Sequence, residues 1–271
     1  MTAADRPGPD PLFATQRATI LDIWDEMQRL QSDFGLAHEL PLYYRSPQWH
    51  AAKMVLDLGT GNGYYLRQLA ARFPDKIYRG VDVSAELIAR AERHAIPGPV
   101  SFAQRSLFDT RERYNFVLMR LLLQHLEDIP AVLDHVAELL HPGESALIID
   151  ADDRARYFHP DLPEFTEFFA AYTEHERRAG RDRNVLGRVE AALGASTAWR
   201  LGAAQAVVIP STIPGNLERF ARTYTLLVDL VEQGGGLHYD FSAVKRAWRQ
   251  WARRSEAYTQ VGLNLIRLDR L

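Results

Sequence analysis

The residues with the clearest chemical meaning are three glycines and two aspartates. Gly59, Gly61 and Gly63, in 55-VLDLGTGNG-63, stand between a short apolar run and a helical pattern. Without side chains they permit a tight turn and let a ligand approach backbone N–H groups. Asp82 ends the next apolar run, 77-IYRGVD-82. At that distance, about 20 residues on, a carboxylate can accept hydrogen bonds from both hydroxyls of a ribose. Together they indicate a nucleoside site; the plainer alternative is a structural turn, with Asp82 capping the following helix. Asp57, two residues before the first glycine, can hold an ammonium group directly or through water, whereas it would repel a pyrophosphate. That favours S-adenosylmethionine over NAD.

These residues need elements to position them. An amphipathic helix is predicted from Thr15 to Phe34, with Ile20, Ile23, Trp24, Met27 and Leu30 on one face. A Pro/aromatic segment, 41-PLYYRSPQW-49, leads to strand 53–59, the glycine turn and a helix from Tyr64 to Phe73. Strands are predicted at 77–82, 100–104, 114–119 and 145–150, with a Ser84-capped helix to His94 and another from Asp128 to Leu140 that stops at 142-PG-143. Alternation of this kind implies a parallel sheet covered on both faces, a doubly wound, Rossmann-like α/β fold. An aromatic and charged stretch, 156–180, precedes a helix at Val185–Leu193 and a strand at 205–209. Helical stripes at Pro214–Val231 and Ala243–Trp251 then precede a last strand, 261–268.

The motifs as a set resemble the class I S-adenosylmethionine-dependent methyltransferases of the small-molecule type. The resemblance rests on 55-VLDLGTGNG-63, 80-GVDVS-84, 102-FAQRSLFD-109, 114-YNFVLMRLLLQHL-126, 132-VLDHVAELLHPGE-144 and 147-LIID-150, and covers residues 52–150 closely. It implies that Asp57, Gly59, Thr60, Gly61 and Gly63 surround the methionine part of the cofactor, that Asp82 and Val83 hold the ribose, and that Ser106 and Leu107 touch the adenine. Many relatives carry aspartate where this chain has Ser106, a neutral and shorter acceptor. Arg120, at the end of the fourth strand, either contacts the methionine carboxylate or pairs with a local acid.

Methyl transfer needs a nucleophile in line with the methyl–sulfur bond, and a base only for some acceptors. His125 follows the carboxyl end of the fourth strand, where sheets of this kind bind ligands, and is the leading base candidate; its alternative is a backbone hydrogen bond within the core. His159 is a second base candidate or a solvent-facing loop histidine. Gln124 either orients a substrate polar group or closes the loop. Asp152 either holds a cationic substrate or pairs with Arg154 or Arg156. Tyr43 and Tyr44 either form a lid over an aromatic acceptor or seal the sheet edge. No metal is expected, since Asp150, Asp152 and Asp153 have no matching acidic cluster.

The 271 residues contain no cysteine, which excludes disulfides, thiolate nucleophiles, iron–sulfur clusters and cysteine zinc sites. A net charge of -3 supplies no whole-chain field toward nucleic acid or anionic lipid, and the basic run 245-KRAWRQWARR-254 reads as the wet side of a helix. The start, MTAADRPGPDP, lacks a secretory pattern and the apolar runs are too short to cross a bilayer, so a cytoplasmic location and no membrane partner are expected. The expected organisation is an N-terminal tail and helical lid (1–50), a cofactor-binding core (51–210), a helical cap insertion (211–258) and a final core strand (259–271). The cap covers the active-site mouth or forms a homodimer interface. The expected activity is methylation of an O or N atom of a small metabolite, as in natural-product biosynthesis. The alternatives are methylation of RNA or protein, or a cofactor-binding interaction protein without transfer activity.

Overall fold

The computed structural model describes residues 19–94 and 98–271; the expected N-terminal tail and the first residues of the helix predicted from Thr15 lie outside them. Helix α1 (Ile20–Arg45) begins at a capping box in which Thr19 and Asp22 exchange hydrogen bonds. It runs on through Pro41, where the sequence predicts an end near Phe34 and a lid segment. An interior proline costs about 3 kcal/mol in helix stability. The added turns offset that by burying Leu36 and Tyr43. A short helix, α2 (Pro47–Ala51), capped by Ser46, follows and buries Trp49.

The core then alternates as expected: β1 (Met54–Leu58), α3 (Tyr64–Arg72), β2 (Ile77–Asp82), α4 (Ala85–Arg93), β3 (Val100–Gln104), β4 (Phe116–Arg120), α5 (Ile129–Glu138) and β5 (Ser145–Ala151). These strands lie parallel in the order β3-β2-β1-β4-β5. The chain moves outward from β1 to β3 and then returns to β4 on the other side of β1. Beyond the carboxyl ends of β1 and β4, the connections therefore part and leave a crevice.

Side chains along a strand alternate between faces. Val55, Phe116, Leu118, Leu147 and Ile149 join an aromatic-rich cluster with Trp49, Tyr65, Phe165 and Trp248, while Leu56, Leu58, Val117, Met119 and Ile148 pack with α5 on the other face. The same alternation puts Asp57 and Arg120 on the first face, toward α1.

The second half builds an antiparallel edge. After β6 (Tyr157–His159), α6 (Pro163–Arg178) and α7 (Val185–Ala195) come β7 (Trp199–Pro210), α8 (Asn216–Gly234), α9 (Phe241–Trp251) and β8 (Tyr258–Arg270). Strand β8 pairs β5 and β6 along one edge and β7 along the other, so the sheet is mixed. The sequence predicts β7 and β8 shorter than they are and does not predict β6, whose three residues are too few to show a period.

Residues 211–257 leave the sheet through a closed neck: Ser211 N donates to Thr259 O at 2.8 Å, and Thr259 N to Ser211 Oγ at 2.9 Å. The helices they carry do not stand apart. Tyr224 and Trp248 pack on Phe165 of α6 with ring centroids 5.0 and 5.1 Å away, and Phe220 meets Phe34 of α1 at 4.9 Å. Helices α1, α6, α8 and α9 thus form one layer over the carboxyl edge of the sheet.

Candidate functional site

The glycine turn after β1 is held by its own backbone. Gly59 N and Thr60 N both donate to Val81 O, at 2.9 and 3.0 Å, and Gly59, Gly61 and Gly63 all take positive φ. At Gly61 the positive φ itself disfavours a side chain, and a Cβ there would crowd the end of Gln28, which descends from α1. Oε1 of Gln28 accepts a hydrogen bond from Asn62 N at 2.9 Å, and Asn62 Nδ2 donates to the main-chain and side-chain oxygens of Asp25. Helix α1 therefore lies directly over the turn.

Asp82 accepts hydrogen bonds from Gly61 N on one carboxylate oxygen and from Ser84 N on the other, each at 2.9 Å. The carboxylate fixes the turn to the end of β2 and keeps further lone pairs for hydroxyl donors. Asp57 is almost fully buried, and loss of water raises its pKa to about 7. A buried carboxylate beside an apolar cavity is a place for a cation.

Arg120 and Glu39 form the other fixed charge pair. Glu39 is fully buried and accepts from Nε and Nη2 of Arg120 at 2.9 to 3.1 Å, while Nη2 also donates to Gln31 O. The guanidinium lies 4.4 Å above the Tyr65 ring. Gly35, four residues before Glu39, makes the room: a Cβ there would come within 2.8 Å of Arg120 Nη2.

Between α1, the β1 and β4 ends and α8 lies a cavity of about 790 Å³. That is the size range of small-molecule sites. After β4 the chain turns into it at Leu121, a non-glycine residue at φ 52°, and continues as a short helical turn over Leu123–His125. A backbone held in this region is strained and persists where its surroundings over-determine it. The His125 ring meets Trp24 edge-on at 5.6 Å. Burial, with the nearby Arg183 charge adding to it, lowers the His125 pKa to about 4, so the imidazole is neutral at physiological pH.

The cavity thus gathers Asp57, Gly59, Thr60, Asp82, Val83, Arg120, Gln124, His125 and Asp152 from the residues singled out in the sequence. Of the two readings of Arg120, the structure places it in the pair with a local acid, Glu39. Gln124 donates to Leu121 O and accepts from Arg183, and Asp152 is held by Arg154 at 2.8 and 2.9 Å.

Gly61 and Gly63 shape the turn without lining the cavity, and five further expected contact residues lie elsewhere. Tyr43 is buried with its hydroxyl 2.8 Å from that of Tyr65, and Tyr44 is exposed against Phe73, because α1 continues where a lid was expected. Ser106 caps the turn Leu107–Asp109, and neither Ser106 nor Leu107 lines the cavity. His159 is exposed on β6, paired with Tyr258 at the sheet edge. Conversely, sequence reasoning missed Gln28, Glu39, Arg156 and Arg183. The spacing Gly35, Glu39, Tyr43 on one helical stripe is a signal for the buried acid; the two arginines sit in basic surroundings that mask them.

Among the described residues no group of three His, Asp or Glu side chains could hold a metal ion, and no helix is long and apolar enough to cross a membrane.

Residues 36–187 match the family model described as a methyltransferase domain. Among curated relatives, a trans-aconitate 2-methyltransferase from Deinococcus radiodurans is 35% identical over 33% of this chain and 34% of its own length. A ubiquinone biosynthesis O-methyltransferase from Bradyrhizobium sp. is 37% identical over 33% of this chain and 36% of its own. The aligned segments thus span little more than a third of these relatives. Among solved structures, Haemonchus contortus phosphoethanolamine N-methyltransferase 2 in complex with S-adenosyl-L-methionine superposes with a TM-score of 0.54 at 16% identity, covering 93% of this chain and 58% of that one. A geranyl diphosphate methyltransferase in complex with SAM gives 0.50 at 16%, covering 97% and 93%. At these identities the likeness is one of fold.

The Arg120–Glu39 pair yields a stability prediction. Glu39→Ala leaves a buried guanidinium unpaired and should cost about 3–5 kcal/mol. The double variant Glu39→Leu with Arg120→Met should recover a large part of that. Urea unfolding of the three chains checks the order, and a double variant less stable than Glu39→Ala would contradict it.

Proposed function

We propose, from the premise that this chain belongs to the class I S-adenosylmethionine-dependent methyltransferases, that it transfers a methyl group to an O or N atom of a small-molecule acceptor held in the cavity under α1 and α8. The observation that carries this reading is the meeting of Asp57, the glycine turn and Asp82 at one wall of that cavity. Thr60 stands beside Asp57 at that wall, its hydroxyl holding the carboxylate's ionised form.

The residues present fit the cofactor. Asp57 faces its ammonium end, Gly59 and Thr60 line the cavity where the chain linking sulfur to the amino acid would lie, and Asp82 has acceptor capacity for the ribose hydroxyls. When bound, S-adenosylmethionine supplies an electrophilic methyl group on a sulfonium. On transfer the methyl–sulfur electron pair would stay on sulfur while the acceptor O or N, aligned by the cavity, would form the new bond.

The chain's part is to align the acceptor and exclude water, for which the apolar walls of α1 and α8 are suited. His125, neutral at physiological pH, can accept the proton that the acceptor loses. Its low pKa makes it a weak base in the free protein, suited to a proton released late, as bond formation acidifies the acceptor. A cavity of about 790 Å³ also favours a small acceptor over a polymer, in keeping with the trans-aconitate and the ubiquinone biosynthesis in the names of the two curated relatives.

Two measurements test the reading. Binding an ammonium against Asp57 favours its ionised form, so below pH 7 binding must expel a proton. Affinity for S-adenosylhomocysteine should therefore rise with pH up to about 7 and level off above it, and Asp57→Asn should flatten that rise; calorimetric titration from pH 5.5 to 8.5 reads both. In a radiolabelled methyl-transfer assay across metabolite fractions, His125→Ala should lower kcat by about 100-fold with little change in the KM for cofactor. An unaltered kcat would leave His125 without a role in proton transfer.

A further inference from the structure

One wall of the cavity is not used by the cofactor residues. Arg156 and Arg183 both line it, and they share a single carboxylate. Asp153 Oδ1 accepts from Arg156 Nη2 at 2.7 Å, and Asp153 Oδ2 from Arg183 Nε at 2.7 Å. Both guanidiniums are mostly buried, with side chains 12% and 14% exposed. The other acids nearby are engaged elsewhere. Asp152 is held by Arg154, and Asp150 accepts from the main-chain N–H groups of Gln124 and Ala151. Glu176 pairs with Arg181.

A buried guanidinium normally has its donors satisfied. Arg183 spends its own on Asp153 and on the Gln124 side chain. Arg156 donates to Asp153 and reaches the Tyr224 hydroxyl. No second carboxylate among the described residues pairs with Arg156. Arg156 itself lines the cavity.

The surroundings are aromatic. The Arg156 guanidinium lies 3.1 Å over the Phe169 ring, and Arg183 stands 5.6 and 5.7 Å from the rings of Phe169 and Tyr172. Cations held over ring faces are fixed in direction as well as in place. Planar guanidiniums of this kind suit carboxylate or phosphate oxygens, which they can meet with paired hydrogen bonds. Arg183 also touches Gln124, next to His125, so this patch adjoins the end of the cavity where the acceptor would meet a base.

We infer that the methyl acceptor is an amphiphilic organic anion, its carboxylate or phosphate taken by Arg156 beside the charge of Arg183 and its apolar body lying against Phe169, Tyr172 and Tyr224. This deepens the methyl-transfer reading and rests on it for the word acceptor. The anion subsite itself is a property of the free protein. Arg156 acts here as a binding and specificity residue, with no part in the bond changes.

Calorimetric titration of the full chain tests it with three probes: 4-hydroxyphenylacetate, its neutral amide 4-hydroxyphenylacetamide, and phenyl phosphate. Each is titrated with and without saturating S-adenosylhomocysteine. At least one anion should bind about tenfold or more tighter than the amide. Arg156→Gln should abolish that preference, Arg156→Lys should restore part of it, and neither should change the affinity for S-adenosylhomocysteine. A tighter carboxylate or a tighter phosphate supports the subsite and identifies its anion. Equal binding of acid and amide, no measurable anion binding, or an undiminished preference in Arg156→Gln would each overturn it. Should Arg156→Gln fail to fold, the comparison of acid with amide on the unaltered chain decides. Failure of the cofactor reading shows separately, as absence of S-adenosylhomocysteine binding, and leaves the anion titration of the unliganded protein readable.

Discussion

Where α1 crosses the end of β4, a carboxylate and a guanidinium meet almost out of water, and the geometry of the cavity depends on how that is tolerated. Removing both charges from solvent costs several kcal/mol per ion before their attraction is counted. The cost is met by saturation: Glu39 takes donors from two nitrogens of Arg120, Gln31 O takes another, and the Tyr65 ring covers the guanidinium face. Gly35 lets the helix come close enough for this, and the Tyr43 and Tyr65 hydroxyls close the polar cluster from below. The pair therefore fixes both the height and the rotation of α1 above the sheet edge.

With α1 placed, the rest of the site follows. Its amino-terminal half lowers Gln28 onto the glycine turn and Trp24 onto His125, while Asp22 and Asp25 reach Arg90 of α4. On the far side Glu26 meets Arg222 of α8, and Phe34 packs on Phe220. The cavity is thus roofed by two helices far apart in sequence, and its walls differ in charge. Carboxylates of β1 and β2 stand at the glycine turn, and guanidiniums beside Asp153 line another part. A cationic cofactor and an anionic acceptor would sort themselves between such walls without further machinery.

Much of this was legible in the sequence. The parallel core could be read because each strand and helix carried its own period and its own stop signal, such as Ser84 before α4 or 142-PG-143 after α5. The glycine turn and Asp82 could be read because their chemistry is local: a short loop and the end of the next strand. What escaped was long-range. Nothing near Glu39 states that Arg120 is its partner, and nothing near Arg156 states that Arg183 will share its carboxylate. The expected lid at Tyr43 and Tyr44 gave way to a longer helix because tertiary burial outweighed the local penalty at Pro41. His159 was named for its position after the fifth strand, but a three-residue strand turned it to the sheet edge.

The central claim is that the β1 and β4 ends and the glycine turn form a nucleoside site under α1, with Asp82 as its ribose carboxylate. Calorimetric titration of S-adenosylhomocysteine into the unaltered chain and into Asp82→Ala tests it most directly. The account predicts one-to-one binding to the unaltered chain and binding at least about tenfold weaker to the variant, at a similar Tm. Equal affinities, or no binding to the unaltered chain, would contradict it.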